Sequence, residues 1–356
     1  MIFNSVSATI QVHPSSAGFL ADIDILVGSR DAILGIGYAA NEAQVNSNND
    51  RPYSNLPQAL VDAKLIKSNA YSLWLDDIQS NSGSILFGGV DTDKYVGSLQ
   101  TLPVEKIRGQ YLQFALTISR MSSSHNGKTQ ALKKDLPVGV ILDSGSTITY
   151  LPNDLVSDIY DAFDVRYSRR QGSGLCSCDL ANQGSTLNFT FTSATISVPI
   201  NELVINPDQG DFQKRDGHEK RQGLGNGGAS SICLFGIAPS SGSVAILGDT
   251  FLRSAYVVYD LANNEISLAQ TNFDSTRSNV REIGTGPDSV PDATAVSNVV
   301  HATITAGGQG RIGNPTATSS SGSDSVSAST GKASLLPYIS TGCAVLIGTI
   351  LHFCCT

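Results

Sequence analysis

Short apolar runs separated by turn-forming residues recur along most of this chain. Alternating apolar and polar residues over Thr186–Ile205 predict a β-hairpin with one buried face. Apolar residues have helical spacing over Leu56–Leu65, which carries Pro57 in its first turn, and over Asn153–Val165. The pattern over Ile232–Gln270 favours several strands in succession. The chain is therefore predicted to have an all-β fold with two short helices.

An acidic turn lies between two apolar runs in Val138–Pro152. The first run ends at Asp143, and the small residues after it include Gly145, where the backbone can bend sharply or approach another segment. An Asp at such a position is either a turn-forming residue or a catalytic acid. Because an isolated Asp-Ser-Gly favours the turn, the other motifs of the chain decide between the two interpretations.

The composition narrows the class of protein. Charged residues make up 15% of the 356 residues and glycine occurs 34 times, which is typical of a β-rich protein with many turns. The formal net charge of −8 argues against a nucleic-acid partner, which would need a basic face. A low charge content together with abundant Ser and Thr favours a secreted or cell-surface protein.

The six cysteines form two groups, one among the strand patterns and one in the C-terminal tail. Their spacing lacks the paired arrangement of a zinc site and the histidines are scattered, so we expect no metal. In an oxidising compartment we expect one long-range disulfide in the first group, with one cysteine left over. The first group is Cys176, Cys178 and Cys233, and the second is Cys343, Cys354 and Cys355.

A short internal repeat suggests two related halves. Ala32–Gly35 and Ala245–Gly248 both read Ala-Ile-Leu-Gly, an apolar run that stops at glycine. Asp143 precedes the second copy, whereas no Asp-Ser-Gly or Asp-Thr-Gly lies between Met1 and the first copy. We therefore expect that an acid equivalent to Asp143 would have to lie upstream of Met1.

Four segments resemble, in order, the fungal pepsin-like aspartic proteases of the yapsin and candidapepsin type. They are DAILGIGY (31–38), SGSILFGGVDTDKYVG (82–97), VGVILDSGSTITYLP (138–152) and AILGDTFLRSAYVVYDLANNEISLA (245–269). The resemblance implies a bilobal all-β fold, here with an incomplete N-terminal lobe. Together with the composition, it divides the chain into a partial N-terminal lobe (1–109), a C-terminal lobe (110–271), a disordered Ser/Thr/Gly-rich stalk (272–332) and a hydrophobic tail (333–356).

The same resemblance implies roles for individual residues. Asp143 matches the catalytic Asp of the C-terminal lobe, Ser146 matches the hydroxyl that hydrogen-bonds its carboxylate, and Ser144 matches the hydroxyl that helps lock the two active-site loops together. Gly145 and Thr147 complete the active-site loop. The apolar-Gly elements beneath the two loops match Ile246, Leu247 and Gly248 in one lobe and Ile33, Leu34 and Gly35 in the other. The disulfide of the C-terminal lobe matches Cys178 and Cys233 with Cys176 spare, and the reverse roles of Cys176 and Cys178 stay open.

The implied activity is endopeptidase cleavage of peptides and proteins, with no cofactor. Two adjacent carboxyls cannot both ionise cheaply and share one proton, so one activates water while the other polarises the peptide carbonyl. The first Asp-Thr/Ser-Gly motif and the flap that covers substrate are absent before Asp31, so we expect the chain to be inactive as written. We expect a monomer, because the partial N-terminal lobe would obstruct a dimer that shares two copies of Asp143. The alternative is a non-catalytic cell-surface or cell-wall protein that retains the protease fold.

The apolar segment Ala333–Phe353 is long enough to span a bilayer, and no Lys or Arg follows it. Small residues, then a polar spacer, then this tail fit a GPI-attachment signal, with a tail-anchored helix as the alternative. The small residues are Ser321, Gly322 and Ser323. We expect a GPI-anchored protein at the outer face of the plasma membrane or in the cell wall.

That route requires an N-terminal signal peptide, and Met1–Val27 lacks the basic start and continuous apolar core of one. A missing N-terminal segment would explain at once why the signal peptide and the first catalytic motif are both absent. Asn188 begins an Asn-Phe-Thr glycosylation sequon within a predicted strand. We therefore expect a secretory protein with a candidate glycan at Asn188.

Overall fold

A computed structural model describes residues 9–12, 21–24, 34–41, 54–80, 83–125, 127–206, 231–242, 244–304 and 353–354. The α-helices are α1 (Leu56–Asp62), α2 (Asn153–Phe163) and α3 (Asp249–Leu252), and the 3-10 helices are η1 (Ala39–Asn41), η2 (Cys178–Asn182) and η3 (Ile200–Leu203). The strands are β1 (Thr9–Val12), β2 (Ala21–Asp24), β3 (Leu34–Gly35), β4 (Ala70–Trp74), β5 (Ser84–Phe87), β6 (Gly89–Asp91), β7 (Tyr95–Pro103), β8 (Ala115–Ile118), β9 (Arg120–His125), β10 (Lys128–Leu132), β11 (Val138–Leu142), β12 (Thr149–Leu151), β13 (Arg166–Ser168), β14 (Ser173–Ser177), β15 (Thr186–Phe191), β16 (Ala194–Pro199), β17 (Val204–Ile205), β18 (Ile232–Phe235), β19 (Ile237–Pro239), β20 (Ala245–Leu247), β21 (Ala255–Asp260), β22 (Glu265–Thr271), β23 (Val280–Glu282), β24 (Ala293–Ala295) and β25 (Phe353–Cys354). The predicted all-β class is confirmed.

Both helices expected from apolar spacing are present. Asn55 caps α1, since its side chain accepts a hydrogen bond from the Gln58 N–H at 3.4 Å, and Pro57 lies in the first turn. Helix α2 ends at Phe163, and the next residue, Asp164, has a left-handed φ of 52°. The buried stripe of α2 consists of Leu155, Val156, Ile159, Tyr160 and Phe163. The start of α1 and the end of α2 therefore coincide with a cap or a break in the local sequence.

An eight-stranded sheet runs in the order β2-β1-β5-β4-β21-β22-β7-β24. It joins segments far apart in sequence, because Leu73 of β4 lies opposite Val257 of β21 and Gln100 of β7 lies opposite Leu268 of β22. The Tyr71 ring of β4 lies 5.0 Å from the Tyr259 ring of β21 in the main core. Residues on the two sides of the expected lobe boundary at 109/110 therefore share one sheet.

A five-stranded sheet in the order β19-β12-β20-β11-β8 carries the acidic turn at the end of β11. Strand β20 lies between β11 and β12, parallel to β11 and antiparallel to β12. Val140 and Leu142 lie opposite Ala245 and Leu247, and Tyr150 lies opposite Ile246. The loop from β11 to β12 therefore crosses the end of a strand that comes much later in the chain.

Two four-stranded sheets, β10-β9-β15-β16 and β13-β14-β18-β17, are built from strands that lie in sequence between the strands of the five-stranded sheet. The hairpin expected over Thr186–Ile205 forms β15 and β16.

A disulfide joins Cys178 of η2 to Cys233 of β18, which is the pairing that the resemblance implied. Cys176 remains a buried thiol, and burial raises its pKa to about 11.

Residues 272–304, which we call the C-terminal strap, are ordered, so the expectation of a disordered stalk is wrong for them. Strand β23 pairs with β6, and β24 runs parallel to β7. Ile283 is 0% exposed and Val290 is 5% exposed, and both pack in a core cluster with Trp74 and Tyr256. The strap lacks periodicity because backbone hydrogen bonds and isolated apolar side chains hold it. Residues 305–332 of the expected stalk lie outside the described residues.

Among the residues that the structure describes, no helix is long and apolar enough to cross a membrane. The expected hydrophobic tail lies outside them, apart from β25, which pairs in parallel with β3.

Candidate active site

Asp143 follows directly on β11 and is 3% exposed. Its backbone N–H donates to the Leu247 carbonyl oxygen at 3.0 Å, and its own carbonyl accepts from the Ser146 N–H at 3.2 Å. The second bond closes a tight turn through Ser144, which is buried, and Gly145. The acidic side chain is therefore fixed at a strand end by its own turn and by the neighbouring strand β20.

Two donors from this turn hold the Asp143 carboxylate. The Gly145 N–H donates to Oδ1 at 2.9 Å, and the Ser146 hydroxyl donates to Oδ2 at 2.7 Å. Because each donor serves a different oxygen, the plane of the carboxylate is set. The short bond from Ser146 is the contact that the resemblance implied for that hydroxyl. An oriented carboxylate is the first requirement for a general acid or base.

Gly248 packs directly beneath the loop. A Cβ at this position would collide with the carbonyl oxygens of Ser146 and Ile148, so only glycine fits. The next two backbone N–H groups, those of Asp249 and Thr250, donate to the Ser146 carbonyl at 2.8 Å and to the Thr147 carbonyl at 3.3 Å. The segment after Gly248 therefore supports the loop from below through its main chain.

A buried pair of hydroxyls ties the loop to α3, and sequence analysis missed it. Thr149 and Thr250 are both 0% exposed, and their Oγ1 atoms lie 3.1 Å apart. The Thr250 hydroxyl donates to the Gly236 carbonyl at 2.8 Å, and Thr149 Oγ1 accepts from the Gly248 N–H at 3.3 Å. The sequence carries no motif for this pair, because each buried hydroxyl is explained only by its partner.

The apolar-Gly residues have different surroundings in the two copies of the repeat. Leu247 is buried and its carbonyl binds the Asp143 N–H, while Ile246 is half-buried in the middle of the five-stranded sheet. In the first copy, Leu34 and Gly35 form β3, whose described neighbour is β25 rather than a strand of the sheet that carries Asp143. Ile33 lies outside the described residues. Among the described residues, the second copy lies at the Asp143 loop, and the place expected for the first copy in the other lobe stays a prediction.

Asn188 lies in β15 on the face opposite the buried Leu187 and Phe189, and it is half-buried. Its Nδ2 donates to the Ser122 hydroxyl at 3.2 Å.

The small residues expected at the GPI-attachment site lie outside the described residues; they are Ser321, Gly322 and Ser323. Within the part of the chain that the structure describes, no group of three or more His, Cys, Asp or Glu could hold a metal ion. The acid–base group that the structure shows at the site is the oriented Asp143 carboxyl.

The strand order around Asp143 and the Asp-Ser-Gly turn define a class of protein, the pepsin-like aspartic proteases. The chain belongs to the eukaryotic aspartyl protease family, whose sequence model matches residues 15–215 and 220–271. The C-terminal strap lies beyond this match.

Named relatives agree with this family. A protein of Aspergillus fumigatus called "Probable aspartic-type endopeptidase opsB" is 49% identical over 300 residues, covering 84% of this chain and 59% of the relative. Its namesake in Aspergillus oryzae is 51% identical over 290 residues, covering 81% and 57%. Aspartic proteinase 3 of Saccharomyces cerevisiae is 33% identical over 291 residues, covering 78% and 47%. The chain thus spans less than two thirds of the length of these relatives.

A solved structure resembles the fold. The aspartic proteinase from Irpex lacteus superposes with a TM-score of 0.53 at 21% identity, covering 73% of each chain. At this identity the similarity concerns the fold alone.

Proposed function

We propose that this chain supplies the Asp143 half of the catalytic site of a monomeric aspartic endopeptidase that cleaves peptides and cell-surface proteins at acid pH. The observation that carries the proposal is the buried Asp143 carboxylate, oriented by Gly145 and Ser146 at 2.9 and 2.7 Å. Membership of the aspartyl protease family and the names of the Aspergillus relatives support it.

The chemistry requires a second carboxyl facing Asp143. Two carboxyls share one proton. The ionised carboxyl removes a proton from a bound water molecule while the oxygen of that water attacks the peptide carbonyl carbon. The protonated one donates a hydrogen bond to the carbonyl oxygen as negative charge develops there. Asp143 is suited to either part because its two oxygens are separately held.

We further propose that the polypeptide of residues 1–356 does not hydrolyse peptides by itself. Asp-Ser-Gly occurs once in it, at Asp143, and Asp-Thr-Gly does not occur. One carboxyl cannot be ionised and protonated at the same time, so the shared-proton mechanism needs a second such loop. The same observation favours a second candidate function, a non-catalytic cell-surface protein that retains the protease fold.

The test compares two polypeptides in an acid-pH peptide cleavage assay with and without pepstatin. One is residues 1–356, and the other carries in addition the N-terminal Asp-Thr/Ser-Gly and flap segment of a family member. We expect pepstatin-sensitive turnover from the extended polypeptide and none from residues 1–356. Turnover by residues 1–356 would contradict the proposed inactivity. A folded extended polypeptide without activity would favour the non-catalytic function.

We propose that the mature protein is attached to the outer cell surface by a GPI anchor, on the basis of the apolar segment after Ser321–Ser323. In fungal cells that express the chain behind a signal peptide, phosphatidylinositol-specific phospholipase C should release the protein from membranes. A variant lacking residues 333–356 should be secreted into the medium even when no phospholipase is added. Protein that resists the phospholipase but dissolves in detergent would instead indicate a tail-anchored helix.

A further inference from the structure

The C-terminal strap ends against the strand that carries Asp143. The half-buried side chain of Ile304 packs in a small apolar cluster with Ile107, Ala115, Ile141 and Val244. A Cβ on Gly139 of β11 would collide with Ile304, and its three nearest atoms would all belong to that side chain. Ile304 therefore occupies the space that a side chain at position 139 would fill.

A hydrogen bond two residues earlier fixes the strap at the same level of the sheet. The Ala302 N–H donates to Thr117 Oγ1 at 3.0 Å, and the Thr117 hydroxyl donates to Glu105 Oε1 at 2.9 Å. Thr117 is 4% exposed and lies directly opposite Gly139 in the pairing of β8 with β11. The strap thus crosses β8 and reaches β11 in a defined register.

This contact bears on both strands that build the candidate site. Gly139 and Ile141 lie on the same side of β11, and Asp143 follows two residues later. Val244, which packs against the same apolar cluster as Ile304, immediately precedes β20, which ends at the Leu247 carbonyl that binds the Asp143 N–H. A displacement of β11 against β20 would therefore move the Asp143 loop relative to Gly248.

We propose that Ile304 is a positioning residue for Asp143, with the function proposed above as its premise. By filling the space over Gly139, Ile304 holds β11 and β20 together and keeps the Asp143 loop seated on Gly248. The family match ends at residue 271, so this contact comes from a segment beyond the part of the chain that the family model describes. Its loss leaves a cavity beside β11, which favours local opening of the strand end.

Hydrogen exchange of residues 1–356 tests the proposal without any catalysis. In Ile304→Ala, we expect the amides of Asp143 and Gly145 to exchange about tenfold faster or more, because they depend on the seating of the loop. The matched control is Val290→Ala, which removes a buried side chain from the same strap far from β11. It should lower the melting temperature while leaving exchange at Asp143 and Gly145 unchanged.

A double substitution separates positioning from simple loss of stability. Gly139→Ala alone should also speed exchange at the loop, because its methyl group collides with Ile304. In the Ile304→Ala background the same methyl group fills the vacated space, so exchange should return toward the wild-type rate. If Ile304→Ala fails to fold, Ile304→Val gives a smaller cavity and a smaller effect in the same direction.

Two results would overturn the proposal. One is unchanged exchange at Asp143 and Gly145 in folded Ile304→Ala, and the other is a double variant worse than either single variant. In the extended polypeptide with two aspartates, Ile304→Ala should lower kcat with little change in KM. An active extended polypeptide that is insensitive to Ile304→Ala would leave the proposed function standing and remove the positioning role.

Discussion

The Asp143→Asn variant of the extended, two-aspartate polypeptide is expected to lose about 10²–10⁴-fold in kcat, the range found when a general acid or base is removed. Asn has nearly the same shape as Asp, and its carbonyl oxygen can still accept a hydrogen bond from Ser146 or Gly145. It cannot take up or release a proton, however. The variant should therefore keep its melting temperature while losing turnover at acid pH.

Ser146→Ala provides the graded comparison for this experiment. It removes the 2.7 Å hydrogen bond to Oδ2 but leaves the carboxyl and the Gly145 bond to Oδ1. A smaller loss of kcat is expected, together with a shifted pH profile, because a hydroxyl that donates to a carboxylate favours its ionised form. Full activity in a folded Asp143→Asn variant would show that Asp143 is not part of the catalytic pair.

Arg253→Met is expected to lower the free energy of unfolding by about 3–5 kcal/mol, the cost of breaking a buried ion pair from one side. Arg253 Nε lies 2.6 Å from Glu202 Oε2, and the side chains are 4% and 1% exposed. Burial raises the pKa of the Glu202 carboxyl, and Arg253 acts against that rise. Without the guanidinium, a carboxylate is left buried and uncompensated, and urea unfolding at neutral pH measures the loss.

The pH dependence and a double variant check that explanation. In Arg253→Met, protonation of Glu202 removes the buried charge. The folded-state pKa of that carboxyl then lies above its unfolded value, so the destabilisation should shrink at acid pH and grow as pH rises through the folded-state pKa. Glu202→Gln combined with Arg253→Met should recover part of the stability at neutral pH. If Arg253→Met alone were as stable at neutral pH as the double variant, the ion-pair argument would be contradicted. Lys134→Met, which breaks the exposed pair with Asp158, should have no measurable effect.

The sequence was sufficient for features set by local pattern. Apolar alternation gave the hairpin of β15 and β16, and helical spacing with caps gave α1 and α2. The C-terminal strap was not predictable in this way, because Ile283 and Val290 are single apolar residues in a polar stretch. Their burial depends on β6 and β7, which lie far away in sequence.

In the candidate site, too, some residues are predictable from the local sequence and others are not. Asp143, Ser146 and Gly248 carry a motif whose chemistry can be read from residue types, and the geometry of their contacts agrees with it. The pairs Thr149–Thr250 and Glu202–Arg253 leave no such trace, since each partner is ordinary in its own segment and is explained only by the other. For the first copy of the repeat, the role beneath the loop of the other lobe stays a prediction, and the described neighbour of Leu34 and Gly35 is β25.

The shared eight-stranded sheet has a consequence for the order in which the chain can fold during synthesis. Strand β4 finds its partner β21 only when Val257 has left the ribosome, and β7 must wait for β22. The hairpin of β4 and β5 can form early, but one edge of β4 remains unpaired until nearly the whole folded part has been made. Such late, long-range closure slows folding and leaves strand edges open to wrong partners. Until those last strands arrive, the edges of β4 and β7 are the places where the nascent chain is most open to wrong pairing.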